Sequence, residues 1–195
     1  MEAKRYRRRG LDGTSRRIVD FLKKQGVEGR TVLEIGGGIG AIQIELLQAG
    51  AARATSIELT PTYEQAASQL LSEAGLTDRV ERRVMDFAQA ADQVEGADVV
   101  VMNRVLCCYH DMPRLAGAAA DHTRQTLVMT FPRRALWVRA GLAIGNGLLW
   151  LTRRHFHIFV HRPSEIMATS QRHGLQPVLN QTGLLWTLAA LSRGT

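Results

Sequence analysis

The chain has 195 residues, 45% of them hydrophobic and 22% charged, a length and composition that suit one globular domain with a full core. No stretch stays apolar long enough to span a bilayer and no apolar segment follows the arginine-rich start, so neither a transmembrane anchor nor a secretory signal is expected. The location is read as cytoplasmic, with peripheral membrane contact as a variant of that reading.

The net charge of +7 is concentrated in residues 1–30, which carry ten Lys/Arg against four Asp/Glu. A basic arm on a nearly neutral body can meet nucleic acid, an anionic membrane surface or an acidic substrate, or can simply be a solvated face. The arm begins with Tyr6-Arg7-Arg8-Arg9-Gly10-Leu11-Asp12-Gly13, which is polar and broken by glycine. A helix is predicted from about Thr14, with Ile18, Val19, Phe21 and Leu22 at helical spacing and Thr14 or Ser15 as cap. Residues 31–35 are apolar and β-branched enough for a buried parallel strand. Gly36, Gly38 and Gly40 then let the backbone turn into a helix over 41–48. A strand, a glycine turn and a helix N-terminus with unpaired N–H groups make a nucleotide site.

A second strand is predicted over 53–59, then a helix started by Thr60-Pro61 and ended by Gly75. Residues 80–85 form a third strand that delivers Asp86. The continuous apolar run 99–102 is a central parallel strand, and function is expected at its carboxyl end, where Asn103 to Asp111 begins. Asp111-Met112-Pro113 caps a helix to about His122, and 126–131 is the next strand. Residues 133–151 read as an amphipathic helix with basic ends, within an insertion over 133–162 that packs on the sheet, covers a greasy acceptor or lies at a membrane interface. A helix from Pro163 to about His173 and a hairpin of 175–180 with 184–191 close the chain.

The glycine turn admits two ligands. Gly36-x-Gly38-x-x-Ala41 fits the looser dinucleotide fingerprint, with Glu58 at the distance for a ribose hydroxyl. Glu34 separates the readings, because a carboxylate on the strand two residues before the first glycine repels phosphates at the turn and suits an amino-acid ammonium.

Glu34-x-Gly36-x-Gly38-x-Gly40, Glu58 closing a second strand and Asp86-Phe87 closing a third together resemble the class I S-adenosylmethionine-dependent methyltransferases. The resemblance implies an α/β, Rossmann-like, doubly wound seven-stranded sheet with a C-terminal antiparallel hairpin, in a single domain over 1–195, and S-adenosylmethionine as cofactor. It places the turn of Gly36, Gly38 and Gly40, with Glu34, under the methionine part. Glu58 and Leu59 then lie at the ribose, Asp86 and Phe87 at the adenine, and Asn103 beside the departing methyl. The leading helix within 1–30 becomes a lid. The layout is most similar to the small-molecule branch that includes magnesium-protoporphyrin IX and ubiquinone-pathway O-methyltransferases, although Cys108-Tyr109-His110 stands where porphyrin-type members carry a histidine immediately before the tyrosine. The segment after Asn103 lacks the Asn-Pro-Pro-Tyr pattern of amino methylation on nucleic-acid bases.

The reaction so implied is direct displacement of the sulfonium methyl by a small, hydrophobic or acidic acceptor. Alignment supplies most of the acceleration, and a base matters for a phenol or alcohol but hardly for a carboxylate, thiolate or amine. Candidates near the acceptor are Tyr109, His110 and Tyr6, then His157 or His161; His110 reads first as a solvated helix start, then as a general base or a hydrogen-bond partner of the substrate. Adjacent Cys107 and Cys108 disfavour an ordinary disulfide framework, fit a reducing compartment and are expected to pack beside the strand end. His155, His157 and His161 share a face if extended, but with no acid or cysteine at ligand spacing no metal is assigned. Two alternatives stay open: an RNA methyltransferase that uses the basic arm, whose binding would collapse with salt, and a non-catalytic S-adenosylmethionine-binding protein.

Overall fold

The computed structural model describes residues 2–133, 159 and 161–194. Its seven strands are β1 (Thr31–Ile35), β2 (Arg53–Glu58), β3 (Val80–Val84), β4 (Ala97–Asn103), β5 (Thr123–Pro132), β6 (Leu175–Thr182) and β7 (Trp186–Arg193). They form one sheet in the order β3-β2-β1-β4-β5-β7-β6, parallel from β3 to β5, with β7 antiparallel to both β5 and β6. This is the doubly wound sheet with a terminal hairpin that the sequence implied.

Alternation along the central strands divides the core between the two faces of the sheet. Val32, Val99, Val101 and Val128 pack with α2 (Gly13–Lys24), α3 (Ala41–Gln48) and α4 (Glu64–Glu73). Leu33, Ile35, Val100, Met102 and Met129 pack with α5 (Met112–Asp121) and α6 (Pro163–Arg172). Burial on both faces explains why β4 reads as an unbroken apolar run.

The N-terminal arm differs from its reading as a polar, glycine-broken segment: Glu2–Arg9 is a helix, α1. It buries none of its residues, so no apolar stripe announces it. It is built from good helix formers and tied down by side-chain contacts, including a bidentate Arg7 to Glu73 pair at 2.8 and 2.7 Å. The cap of α2 is Asp12 rather than Thr14 or Ser15, with Asp12 Oδ1 accepting from the Thr14 and Ser15 N–H groups at 2.9 and 3.3 Å. Asp111 caps α5 as expected, accepting from Arg114 N–H at 3.1 Å. The helix expected over 133–151, beyond Arg133 itself, and His155 and His157 lie outside the described residues. Among the described residues no helix is long and apolar enough to cross a membrane.

Candidate cofactor and acceptor site

Strand order reverses between β1 and β4, and beyond the carboxyl ends of these strands lies a cavity of about 410 Å³. Three carboxylates reach it from successive strand ends: Glu34 on β1, Glu58 on β2 and Asp86 just past β3. Glu34 is 2% exposed, and its Oε2 has no hydrogen-bond partner among the described residues. Burial pushes its carboxyl from 4.5 up to about 8; the Gln43 N–H and Arg82 oppose the rise and Glu58 adds to it.

The glycine turn is shaped by contact. Gly36 has φ 69°, and a Cβ there would meet Val105 Cγ2 at 2.4 Å, so both conformation and space demand glycine. Gly38 N–H donates to Glu58 Oε1 at 2.7 Å, so the second-strand acid braces the turn while facing the cavity. Arg82 clamps the turn from β3, donating to Gly38 O at 3.0 Å, Ser56 Oγ at 3.0 Å and Glu64 Oε1 at 2.7 Å.

At the far end, Asp86 accepts the Tyr109 hydroxyl on both carboxylate oxygens at 3.0 Å and also accepts from Ala88 N–H and Gln89 Nε2. Leu59 lines the cavity with 58% of its surface open, whereas Phe87 lines it from the core, edge-on to His122. At the end of β4, Asn103 donates its amide to Ser15 Oγ and accepts from Thr130 Oγ1. Arg104 follows in the left-handed region at φ 63°, a strained conformation for an arginine. Its Nη2 donates to Asp12 Oδ1 at 2.8 Å, and its guanidinium lies 5.2 Å from the centre of the Trp186 ring.

The roof comes from α1 and the start of α2, through Glu2, Arg5, Tyr6, Leu11, Asp12 and Ser15. Tyr6 lines the cavity, but its hydroxyl donates to Glu45 Oε1 at 3.1 Å; burial, then the Glu45 charge, hold the phenol well above its ordinary value of 10.

Residues 4–180 match the family described as a methyltransferase domain. The chain belongs to that family. Curated relatives include the ribosomal protein L11 methyltransferases of Enterobacter sp. (strain 638), 32% identical over 94 residues, and Thermotoga maritima, 31% identical over 101 residues. These matches cover 48% and 52% of this chain and 31% and 36% of the relatives, so the chain spans about a third of their length. Among solved structures, magnesium protoporphyrin IX methyltransferase from Synechocystis PCC 6803 with bound S-adenosylhomocysteine superposes with a TM-score of 0.77 at 19% identity, covering 98% of this chain and 94% of that one. A sarcosine dimethylglycine methyltransferase from Galdieria sulphuraria gives 0.74 at 11% identity, covering 93% and 85%.

S-adenosylmethionine is the methyl donor that goes with this methyltransferase domain, and the cavity has the donors and acceptors for it. The orphaned, fully buried Glu34 Oε2 and the side-chain-free turn at Gly36 lie at one end, and the exposed face of Leu59 provides an apolar wall. Glu34, Gly36, Glu58, Leu59, Asp86, Phe87, Asn103, Tyr6 and Tyr109 all line the one cavity. Gly38 and Gly40 are not part of the lining; Gly40 is the left-handed residue preceding α3. His110 stands apart: it is exposed, off the cavity lining, and stacked on Tyr109 with ring centres 5.3 Å apart. His161 Nε2 donates to the Tyr109 carbonyl at 2.9 Å. Arg82, Arg104 and Asp12 escaped the sequence reading. Only Arg104 had a signal, its place directly after Asn103 at the end of the central strand.

Proposed function

We propose that this methyltransferase-domain protein transfers a methyl group from S-adenosylmethionine to a small, hydrophobic or acidic acceptor. The observation that carries the reading is the convergence of Glu34, Glu58 and Asp86, with the Gly36 turn, on one cavity. Glu34 faces the amino-acid end, Glu58 the ribose and Asp86 the adenine amine. When bound, S-adenosylmethionine supplies an activated sulfonium methyl open to direct displacement.

The chain's own part is alignment and exclusion of water. No histidine is among the described residues of the lining, and the two hydroxyls that the sequence offered near the acceptor, Tyr6 and Tyr109, are each donated to a carboxylate. Burial, then Asp86, hold the Tyr109 phenol above its ordinary value. Both tyrosines therefore position rather than deprotonate, and the acceptor is one that brings its own lone pair, such as a carboxylate, thiolate or amine. Arg5 and Arg104 on the wall favour an anionic group, and Leu11, Ile39 and Val105 an apolar body. Two solved relatives of this fold are named for magnesium protoporphyrin IX and geranyl diphosphate, both small molecules.

The test is incubation with S-adenosylmethionine labelled in its methyl group and a fractionated cell extract. Label in extractable small molecules is the expected result. Label in RNA or protein overturns the small-acceptor reading, and no transfer alongside intact cofactor binding overturns the catalytic one.

A further inference from the structure

We propose that Cys107 and Cys108 form a reversible vicinal disulfide in the cavity wall, and that closing it loosens the cofactor site. They are the chain's only two cysteines and occupy one 3₁₀ turn, Leu106–Cys108. The turn brings their sulfurs to the same side: both thiols point to the Arg104 carbonyl, at 3.4 and 3.6 Å, and the two Sγ atoms are 3.7 Å apart. Cys108 is exposed and lines the cavity, whereas Cys107 is buried. The contact with Cys107 Sγ holds the Cys108 thiol below its ordinary value; the same contact, then burial, push Cys107 up. Cys108 is therefore the attacking thiol and Cys107 the resolving one.

The oxidant is a low-molecular-weight disulfide of the glutathione class. The Cys108 thiolate attacks one of its sulfurs; a new S–S bond forms, the old one breaks, and the departing thiolate takes up the proton that Cys108 released. Cys107 Sγ then attacks Cys108 Sγ. The ring bond forms, the mixed disulfide breaks, and the second small thiolate leaves with the proton from Cys107. Two protein thiols are oxidised and one small disulfide is reduced to two thiols. Adjacent Cα atoms are about 3.8 Å apart across a trans peptide, below the roughly 4.4–6.8 Å of ordinary disulfides, so the ring is strained and readily reduced.

The coupling runs through a single peptide unit. The peptide joining the two cysteines accepts from Phe159 N–H at 2.7 Å through its carbonyl and donates to Val105 O at 2.8 Å through its N–H. Ring closure turns this peptide and strains both bonds. Val105 is the residue whose side chain fills the space beside Gly36, so the disturbance reaches the glycine turn. This second half rests on the cofactor reading above; the thiol chemistry does not.

The full-length chain is treated with oxidised glutathione, freed of excess reagent and weighed intact. The expected product is lighter than the reduced protein by two hydrogens, is restored by dithiothreitol, and binds S-adenosylhomocysteine several-fold more weakly by calorimetry. Cys107→Ala should instead retain a glutathione adduct, and Cys108→Ser should gain nothing. A retained adduct on the unsubstituted chain, a disulfide-linked dimer or an unchanged mass overturns the proposal. An oxidised chain with unaltered affinity overturns the coupling. Absence of S-adenosylhomocysteine binding in the reduced chain counts against the cofactor reading, and the mass measurement still decides the disulfide.

Discussion

Tyr109 donates its hydroxyl to both carboxylate oxygens of Asp86, 3.0 Å away in each case. This one bond ties the turn after the central strand to the acid that follows the third strand, across the cavity that both residues line. The aromatic residue and the acid were both expected at the site; their pairing recasts the tyrosine as a strut.

Tyr109→Phe follows directly. The hydroxyl is near solvent, so its loss should cost under about 1 kcal/mol of stability. Methyl transfer should persist within several-fold, with the change in KM for S-adenosylmethionine and no ionisation lost from the kcat pH profile. Loss of activity by orders of magnitude, with a basic limb removed from that profile, would restore Tyr109 as the base.

The roof offers a second prediction. Tyr6 lines the cavity and is anchored to Glu45 on α3, so Tyr6→Phe should free α1 and raise the dissociation rate of S-adenosylhomocysteine several-fold in stopped-flow fluorescence. Changing Arg7, Arg8 and Arg9 together to Ala should act in the same direction, because Arg7 holds α1 to Glu73. An unchanged rate in both variants would mean that the helix does not gate the cavity.

Arg82→Ala should be the most destabilising of these changes. Its side chain is 9% exposed and ties Gly38, Ser56 and Glu64 together. Glu64 can still reach water, which moderates the penalty to about 2 kcal/mol, or roughly 4–8 °C in Tm by calorimetry.

Glu34 should make the protein pH-sensitive in two opposite senses. Burial raises its carboxyl from 4.5 to about 8, so across that window the folded chain binds the proton more tightly than the unfolded one. Stability without ligand should fall as pH rises through it, a trend that urea titrations at successive pH values would register. An ammonium beside Glu34 favours the ionised form, so S-adenosylhomocysteine should bind more tightly as pH rises and release a proton near neutrality. Calorimetry in buffers of different ionisation enthalpy measures that release; identical heats in all buffers would remove Glu34 from the ammonium contact.

The sheet was legible because its signals are local. β1 runs over the predicted residues, and Gly36 stands where the backbone needs a positive φ. The run over 99–102 marked β4, which extends to Ala97 and Asn103 through pairing that no local pattern reports. The placement of Glu34, Glu58 and Asp86 on one cavity followed from their common position at strand ends. By contrast, α1 owes its order to long-range pairs such as Arg7 with Glu73, 66 residues apart. Arg82 and Arg104 are two among 25 cationic side chains, and only the fold reveals that they clamp a turn and pair with Asp12. His110 follows Tyr109 in sequence, yet the backbone carries its ring outward, off the cavity.

In the proposed function the cavity grips one sulfonium nucleoside through Glu58 and its neighbouring acids. The direct measurement is calorimetric titration of S-adenosylhomocysteine into the unsubstituted chain and into Glu58→Ala, with NADH as competitor. One saturable site is expected, indifferent to NADH and weakened by about 1.5–3 kcal/mol in the variant through loss of a charge-assisted contact. Equal affinity in the two proteins, or displacement by NADH, would contradict it.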